Sequence, residues 1–121
     1  NAGFDPTFPD VLERKNAAFV GKGTVLTKFT GSGGKGGTND ANAEFVGEVR
    51  KIFNDNKISW QTAELGKVDF GGGGTVAKYI ANLNVDTIDL GVPVLSMHAP
   101  FEITSKTDVY MTYKAFAAFI K

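Results

Sequence analysis

The only histidine, His98, closes an apolar run that extends from Ile88 to Met97, and Pro100 then breaks the chain before a new segment opens at Ser105. A neutral imidazole serves equally as a zinc ligand or a base, and a strand that carries one at its carboxyl end, ahead of a turn and a helix, is a common way to present it. A lone histidine in such a place also serves as an ordinary packed residue. Glu102 follows four positions later, where a carboxylate can orient an imidazole or a water, or can screen a helix start. Upstream, Gly71–Gly74 precede Thr75 and a helical pattern. Successive glycine N–H groups at a positive helix end form a seat for a carboxylate or a developing oxyanion; a plain strand-to-helix turn uses the same composition.

A second glycine stretch, Gly31-Ser32-Gly33-Gly34-Lys35-Gly36, fits the G-x-G-x-x-G pattern between a predicted strand and a predicted helix. In that context the pattern signals a nucleotide- or phosphate-binding loop. Three features oppose it. The preceding strand is polar at Thr27, Lys28 and Thr30, whereas a central parallel strand is almost wholly apolar. The acidic residue expected about 20 positions on at a strand end is absent, Asp55 falling at a helix end. Lys35 is followed by Gly36 where a phosphate loop has Ser or Thr. A nucleotide- or phosphate-binding α/β module using Gly31–Gly36 stands as the alternative reading.

The elements that must hold these residues follow from periodicity. Asn1–Asn16, with Pro6 and Pro9 and with Phe4 and Phe8 as surface residues, reads as an irregular entry with one helical turn near Val11–Arg14. Thr24–Thr30 is β-branched and predicts a strand. From Asn39 or Asp40 a helix carries Phe45, Val46, Val49, Ile52 and Phe53 on one stripe, ending at Asn54–Asn56. Ile58–Leu65 predicts the next strand; Thr75 is placed to cap a helix with Val76, Ile80 and Leu83 on one face. Ile88–Met97 is the key strand. Ser105 and Asp108 resemble a capping box, and Val109, Tyr113, Phe116, Ala117 and Ile120 mark the closing helix that follows. The order β-α-β-α-β-α argues for a layered α/β fold, a mixed β-sheet with flanking helices.

Composition bounds the partners. Thirteen basic residues balance thirteen acidic ones, which argues against nucleic acid or an anionic membrane surface. The chain has no cysteine, hence no disulfide frame and no thiolate metal site, and the cytoplasm is the favoured compartment. No apolar run reaches the roughly 18 residues of a membrane span, and no signal peptide is visible. At 121 residues the chain is one domain at most, and its first residue is Asn1, which reads as a fragment or processed product.

The stretch GVPVLSMHAPFEITSKTDVY resembles the C-terminal signature of the aspartyl aminopeptidase family, cytosolic dizinc peptidases that remove acidic N-terminal residues. The likeness continues through Gly71–Gly74 with Thr75 and through KGGTNDA at Lys35–Ala41, so it covers nearly the whole chain. The resemblance implies a zinc-peptidase-like catalytic domain of which residues 1–121 are the C-terminal portion. It implies that His98 binds one of two zinc ions, that Gly72, Gly73, Gly74, Thr75 and Met97 line the substrate site, and that Glu102 supports the imidazole from behind. Lys28 would face the acidic side chain of the substrate; the loop of Lys35, Thr38, Asn39 and Asp40 would line the site without assignable individual roles. The catalytic Glu and the remaining ligands would lie upstream, one of them an Asp just before Asn1. The resemblance further implies a peptide with an acidic N-terminus as partner, a homo-oligomeric enzyme, and a 121-residue chain that is inactive by itself.

Overall fold

The structure is a computed structural model that describes residues 1–67 and 69–121, the side chains of Gly34 and Lys35 excepted. The strands are β1 (Thr24–Thr27), β2 (Phe29–Gly31), β3 (Gly36–Asp40), β4 (Trp60–Thr62) and β5 (Asp89–Gly91). The helices are α1 (Ser32–Lys35), α2 (Ala43–Asp55), α3 (Ala77–Ala81) and α4 (Lys106–Ile120). A three-stranded sheet has β1 at its centre, parallel to β4 and antiparallel to β5. β2 and β3 form a separate antiparallel hairpin. With that hairpin set aside, the order is β1-α2-β4-α3-β5-α4, the mixed α/β arrangement with flanking helices that the periodicity predicts.

β1 is buried along its full length: α2 and α4 cover the face of Thr24 and Leu26, and Ala18, Ala63 and Asn1 cover that of Val25 and Thr27. Leu26, Val49, Phe53, Ile58 and Ala115 form the main core, with Phe45, Ile52 and Trp60 packed at its edge. Full burial of side chains such as Phe53 and Leu26 contributes about 1.5–3 kcal/mol each. Asn42 caps α2, its side chain accepting the Phe45 N–H at 2.7 Å. The stripe expected on α2 is the one that faces the core.

Several local expectations change. The strand expected over Thr24–Thr30 divides at Lys28 into β1 and β2, and that expected over Ile58–Leu65 shortens to β4. The run Ile88–Met97 forms ladder pairs only at Asp89–Gly91, with isolated bridges at Val94 and Leu95 flanking Pro93, which has no N–H to donate. Gly31–Gly36 is neither a free loop nor a turn into a long helix: it spans the tip of the β2–β3 hairpin through the four-residue α1. The geometry required for a nucleotide-binding loop is therefore missing. Phe4 is buried with Leu12 and Ala17, its ring 5.5 Å from that of Phe19. Near Val11–Arg14 the chain makes isolated turns and no helix, Val11 N–H donating to the Phe8 carbonyl and Asn16 N–H to the Glu13 carbonyl.

The closing helix α4 forms as expected, but its apolar stripe is not the face that it buries. Its inward face is Asp108, Thr112 and Ala115, while Val109, Tyr113, Phe116 and Ile120 are exposed. Polar bonding decides this orientation. Asp108 is fully buried and accepts the N–H of Gly21 at 2.6 Å and of Gly23 at 2.8 Å. It therefore holds the turn before β1 and does not complete a capping box; Ser105 alone caps, accepting the Thr107 N–H. Thr112 donates to the Thr24 hydroxyl at 3.0 Å, and Thr24 donates to the Gly91 carbonyl at 3.1 Å, so one relay links α4, β1 and β5.

Gly23 has φ +92°, and a Cβ there would stand 2.1 Å from the Ser59 carbonyl oxygen. Two predictions follow from this corner. Asp108→Ala leaves two N–H groups without their acceptor and should cost about 3 kcal/mol in urea unfolding; a loss below about 1 kcal/mol would show that the turn finds other partners. Gly23→Ala combines the strained backbone with a main-chain clash and should cost at least about 3 kcal/mol; unchanged stability would mean that β1 and β4 do not approach this closely.

Candidate functional site

His98 lies beyond the Leu95–Ile103 bridge, whose two main-chain hydrogen bonds of 2.9 and 3.2 Å close a tight loop over residues 96–102. Inside it, Ser96 and His98 both adopt the left-handed backbone region, with φ 57° and 70°. Such a conformation costs a non-glycine residue about 1–3 kcal/mol and persists only where its surroundings impose it. Here Ala99 N–H donates to the Ser96 carbonyl at 2.9 Å, and His98 N–H donates to Glu102 Oε1 at 2.6 Å. Glu102 thus engages the main chain of His98. The imidazole stays exposed at the rim of a cleft.

That cleft, about 530 Å3, is lined by His98, Met97, Gly72, Gly73, Gly74 and Thr75. Its opposite wall is the entry segment, through Ala2, Val11 and Leu12. The glycine loop reaches this place because the hairpin holds it: Gly31 N–H donates to the Gly73 carbonyl at 3.0 Å. The loop is also folded tightly on itself, since a Cβ on Gly71 would lie 2.5 Å from the Lys67 nitrogen. α3 has only five residues and begins without a side-chain cap. Thr75 therefore does not cap it, and the expected face of Val76, Ile80 and Leu83 is exposed.

The Thr75 hydroxyl donates instead to Asp89 Oδ2 at 3.0 Å. Asp89 is a residue that the sequence reading passed over, although an acid inside the apolar run TIDLGV is a visible signal. Burial raises the pKa of its carboxyl above the ordinary range, and the Thr75 hydrogen bond offsets part of that rise.

Lys28 does not join the cleft. At the break between β1 and β2 its ammonium pairs with Asp40, the partner of Phe29 across the hairpin. The other polar residues of the hairpin hold structure: Asn39 donates to the Thr87 carbonyl at 2.8 Å, and the Thr30 and Thr38 hydroxyls are 2.6 Å apart. The Lys35 side chain lies outside the described residues. A second recess, apolar and about 180 Å3, lies between α2 and α4 around Phe45, Phe53, Phe116 and Phe119 and shares no lining residue with the cleft.

Among the described residues, no three side chains of His, Cys, Asp or Glu come together to hold a metal ion. The chain by itself supplies one imidazole and not a complete site.

The raised Asp89 pKa has a stability consequence with a definite sign. Between the ordinary carboxylate pKa of about 3.9 and the higher folded value, the native state binds the extra proton, so stability falls as pH rises through that window. Asp89→Asn removes this dependence while keeping an acceptor for Thr75. Its melting temperature relative to the parent should therefore increase from pH 4 to pH 7. A relative decrease over the same range would show a carboxylate stabilised by its surroundings.

Comparison with known proteins fits this geometry. Residues 1–120 match the family described as aminopeptidase I zinc metalloprotease (M18). The chain is 52% identical over 120 residues to a probable M18 family aminopeptidase 1 of Clostridium acetobutylicum, covering 99% of this chain and 26% of that protein. It is 49% identical to its counterpart in Thermotoga maritima, again over 120 residues, 99% of this chain and 27% of that protein. The crystal structure of aminopeptidase I from Clostridium acetobutylicum superposes with a TM-score of 0.95 over 100% of this chain and 26% of its own length. The M18 aminopeptidase structure from Thermotoga maritima gives 0.94 over 99% and 27%. The chain thus spans about a quarter of the relatives that it matches. It belongs to the M18 family of zinc metallo-aminopeptidases.

Proposed function

We propose that this chain forms one wall of the active site of a zinc-dependent aminopeptidase, with His98 as a metal ligand. The observation that carries this reading is the convergence of the exposed His98 ring and the Gly72–Thr75 loop on one cleft. A strained turn that holds an imidazole toward an open cleft has a reason to exist if the ring binds something there. Zinc, two ions in the family pattern, would polarise the scissile carbonyl and activate water when bound with ligands that this chain does not carry. The chain's own contributions are to hold the His98 ring outward, to present the glycine-loop backbone to the peptide, and to exclude water from one side with Met97 and Leu12. Glu102 supports the ring indirectly, through the main chain of its loop.

A preference for Asp or Glu at the peptide N-terminus belongs to the same proposal and rests on Lys28. Lys28 is not among the residues that line the cleft, so its ammonium must leave Asp40 and reach the substrate carboxylate from the break between β1 and β2. The cytoplasm is the proposed compartment; among the described residues no helix is long and apolar enough to cross a membrane. Homo-oligomerisation is proposed as well. Two structural neighbours are dodecamers, one of them the yeast mApe1 dodecamer. The exposed side chains of Tyr113, Phe116 and Ile120 on α4 give this chain an apolar surface that association would cover.

Three measurements test these statements. The 121-residue chain with added zinc should show only background hydrolysis of aminoacyl substrates; metal-dependent turnover would refute the incomplete-site argument. When residues 1–120 replace the matching quarter of the Clostridium acetobutylicum relative, His98→Ala should remove one zinc equivalent and lower kcat at least about a hundredfold, whereas full zinc content would exclude His98 as a ligand. In the same chimera, Lys28→Met should lower kcat/KM for Asp and Glu substrates about tenfold more than for a Leu substrate. Equal effects would remove the acidic preference.

A further inference from the structure

We propose that Asp89 is a positioning residue that fixes the Thr75 hydroxyl as an acceptor for the free α-ammonium group of a peptide in the cleft. This inference rests on the peptidase reading above and assigns the group that recognises the substrate's amino terminus. A hydroxyl has one hydrogen to donate and two lone pairs to offer. The Thr75 hydrogen is directed to Asp89 Oδ2 at 3.0 Å. Only lone pairs are left for the cleft that Thr75 lines.

The partner chosen by such an oxygen must be a donor, and a peptide end offers its ammonium group and its first amide N–H. Charge favours the ammonium. Asp89 lies behind Thr75 as a half-buried carboxylate, polarising the hydroxyl and making its oxygen a stronger acceptor for a cation. Among the described residues no cation forms an ion pair with Asp89; the ion pairs are Lys28–Asp40 and Lys51–Asp55. Asp89 is also well placed to fix a neighbour. It lies on β5 in register with Thr27 of the fully buried β1, and the Thr27 hydroxyl in turn accepts the Asn1 side-chain amide at 2.7 Å. On the same wall the Gly73 carbonyl already accepts Gly31 N–H, leaving the Thr75 oxygen as the acceptor with a charge behind it.

The test uses the chimera in which residues 1–120 replace the matching quarter of the Clostridium acetobutylicum relative. Kinetics on an aminoacyl anilide are combined with calorimetric binding of an amino-acid amide and of its des-amino analogue, which requires no turnover. Thr75→Val and Asp89→Leu, which removes the acceptor as well as the charge, should each raise KM about tenfold with kcat within about twofold of the parent. Both should weaken binding of the amide and leave the des-amino analogue unaffected, and Thr75→Ser should restore parent behaviour. An unchanged KM, or equal weakening of the two ligands, would overturn the proposal. A chimera that binds the amide through Thr75 but never hydrolyses the anilide with any divalent metal would instead refute the peptidase reading and leave the recognition intact.

Discussion

The fold depends on one buried carboxylate. Asp108 takes two main-chain N–H groups from the turn at Gly21–Gly23, and those bonds set the height and rotation of α4 against β1. A carboxylate is tolerated in such a place only when its lone pairs are filled, which is why the turn must bring two donors to it. Thr112 and Thr24 extend the same polar line to the Gly91 carbonyl at the end of β5. The strand that leads toward His98 is thereby referenced to the last helix by hydrogen bonds as well as by the main core. Such bonds require a defined angle and distance, whereas apolar contact alone tolerates sliding.

The consequence for the cleft is a division of labour between rigid and strained parts. β1 is buried and β5, paired with it, is half-buried, and they carry Thr27 and Asp89 at fixed positions. The glycine loop and the His98 turn are irregular, yet each is held at identified points: Gly73 by Gly31, Thr75 by Asp89, and His98 by Glu102. Irregular backbone buried or half-buried in this way needs its polar groups satisfied, and neighbouring segments satisfy them. Glycine is needed at Gly71 because the loop crosses its own backbone too closely for a Cβ. The lining of the cleft is thus made from loops, and its geometry comes from the sheet beneath them.

Much of this was legible in the chain itself. The stripe of α2 was readable because Phe45, Val49 and Phe53 recur at the helical period and no polar anchor competes with them. His98 and the Gly72–Thr75 loop stood out by residue type and Met97 by resemblance, and all of them line one cleft. The face of α4 was not readable: Asp108 and Thr112 turn inward because a donor and an acceptor from a segment more than 80 residues away meet them, while periodicity sees only apolarity. Lys28 was a plausible cleft residue by type, but the hairpin register puts Asp40 beside it. Asp89 escaped notice because an acid in a strand reads as a surface position until the partner across the loop is known.

The amino-acid order alone determined the α/β succession, the helical stripe of α2, the glycine bends and the single imidazole, because periodicity, turn chemistry and donor type are local properties. Only the tertiary structure decided that Asp108 belongs inside, that Lys28 pairs with Asp40, and that Thr75 shares its proton with Asp89 across fourteen residues. Each of these is a hydrogen bond or ion pair between distant segments. Its partner is chosen by where the backbone brings the two groups in space, which no short window of sequence contains.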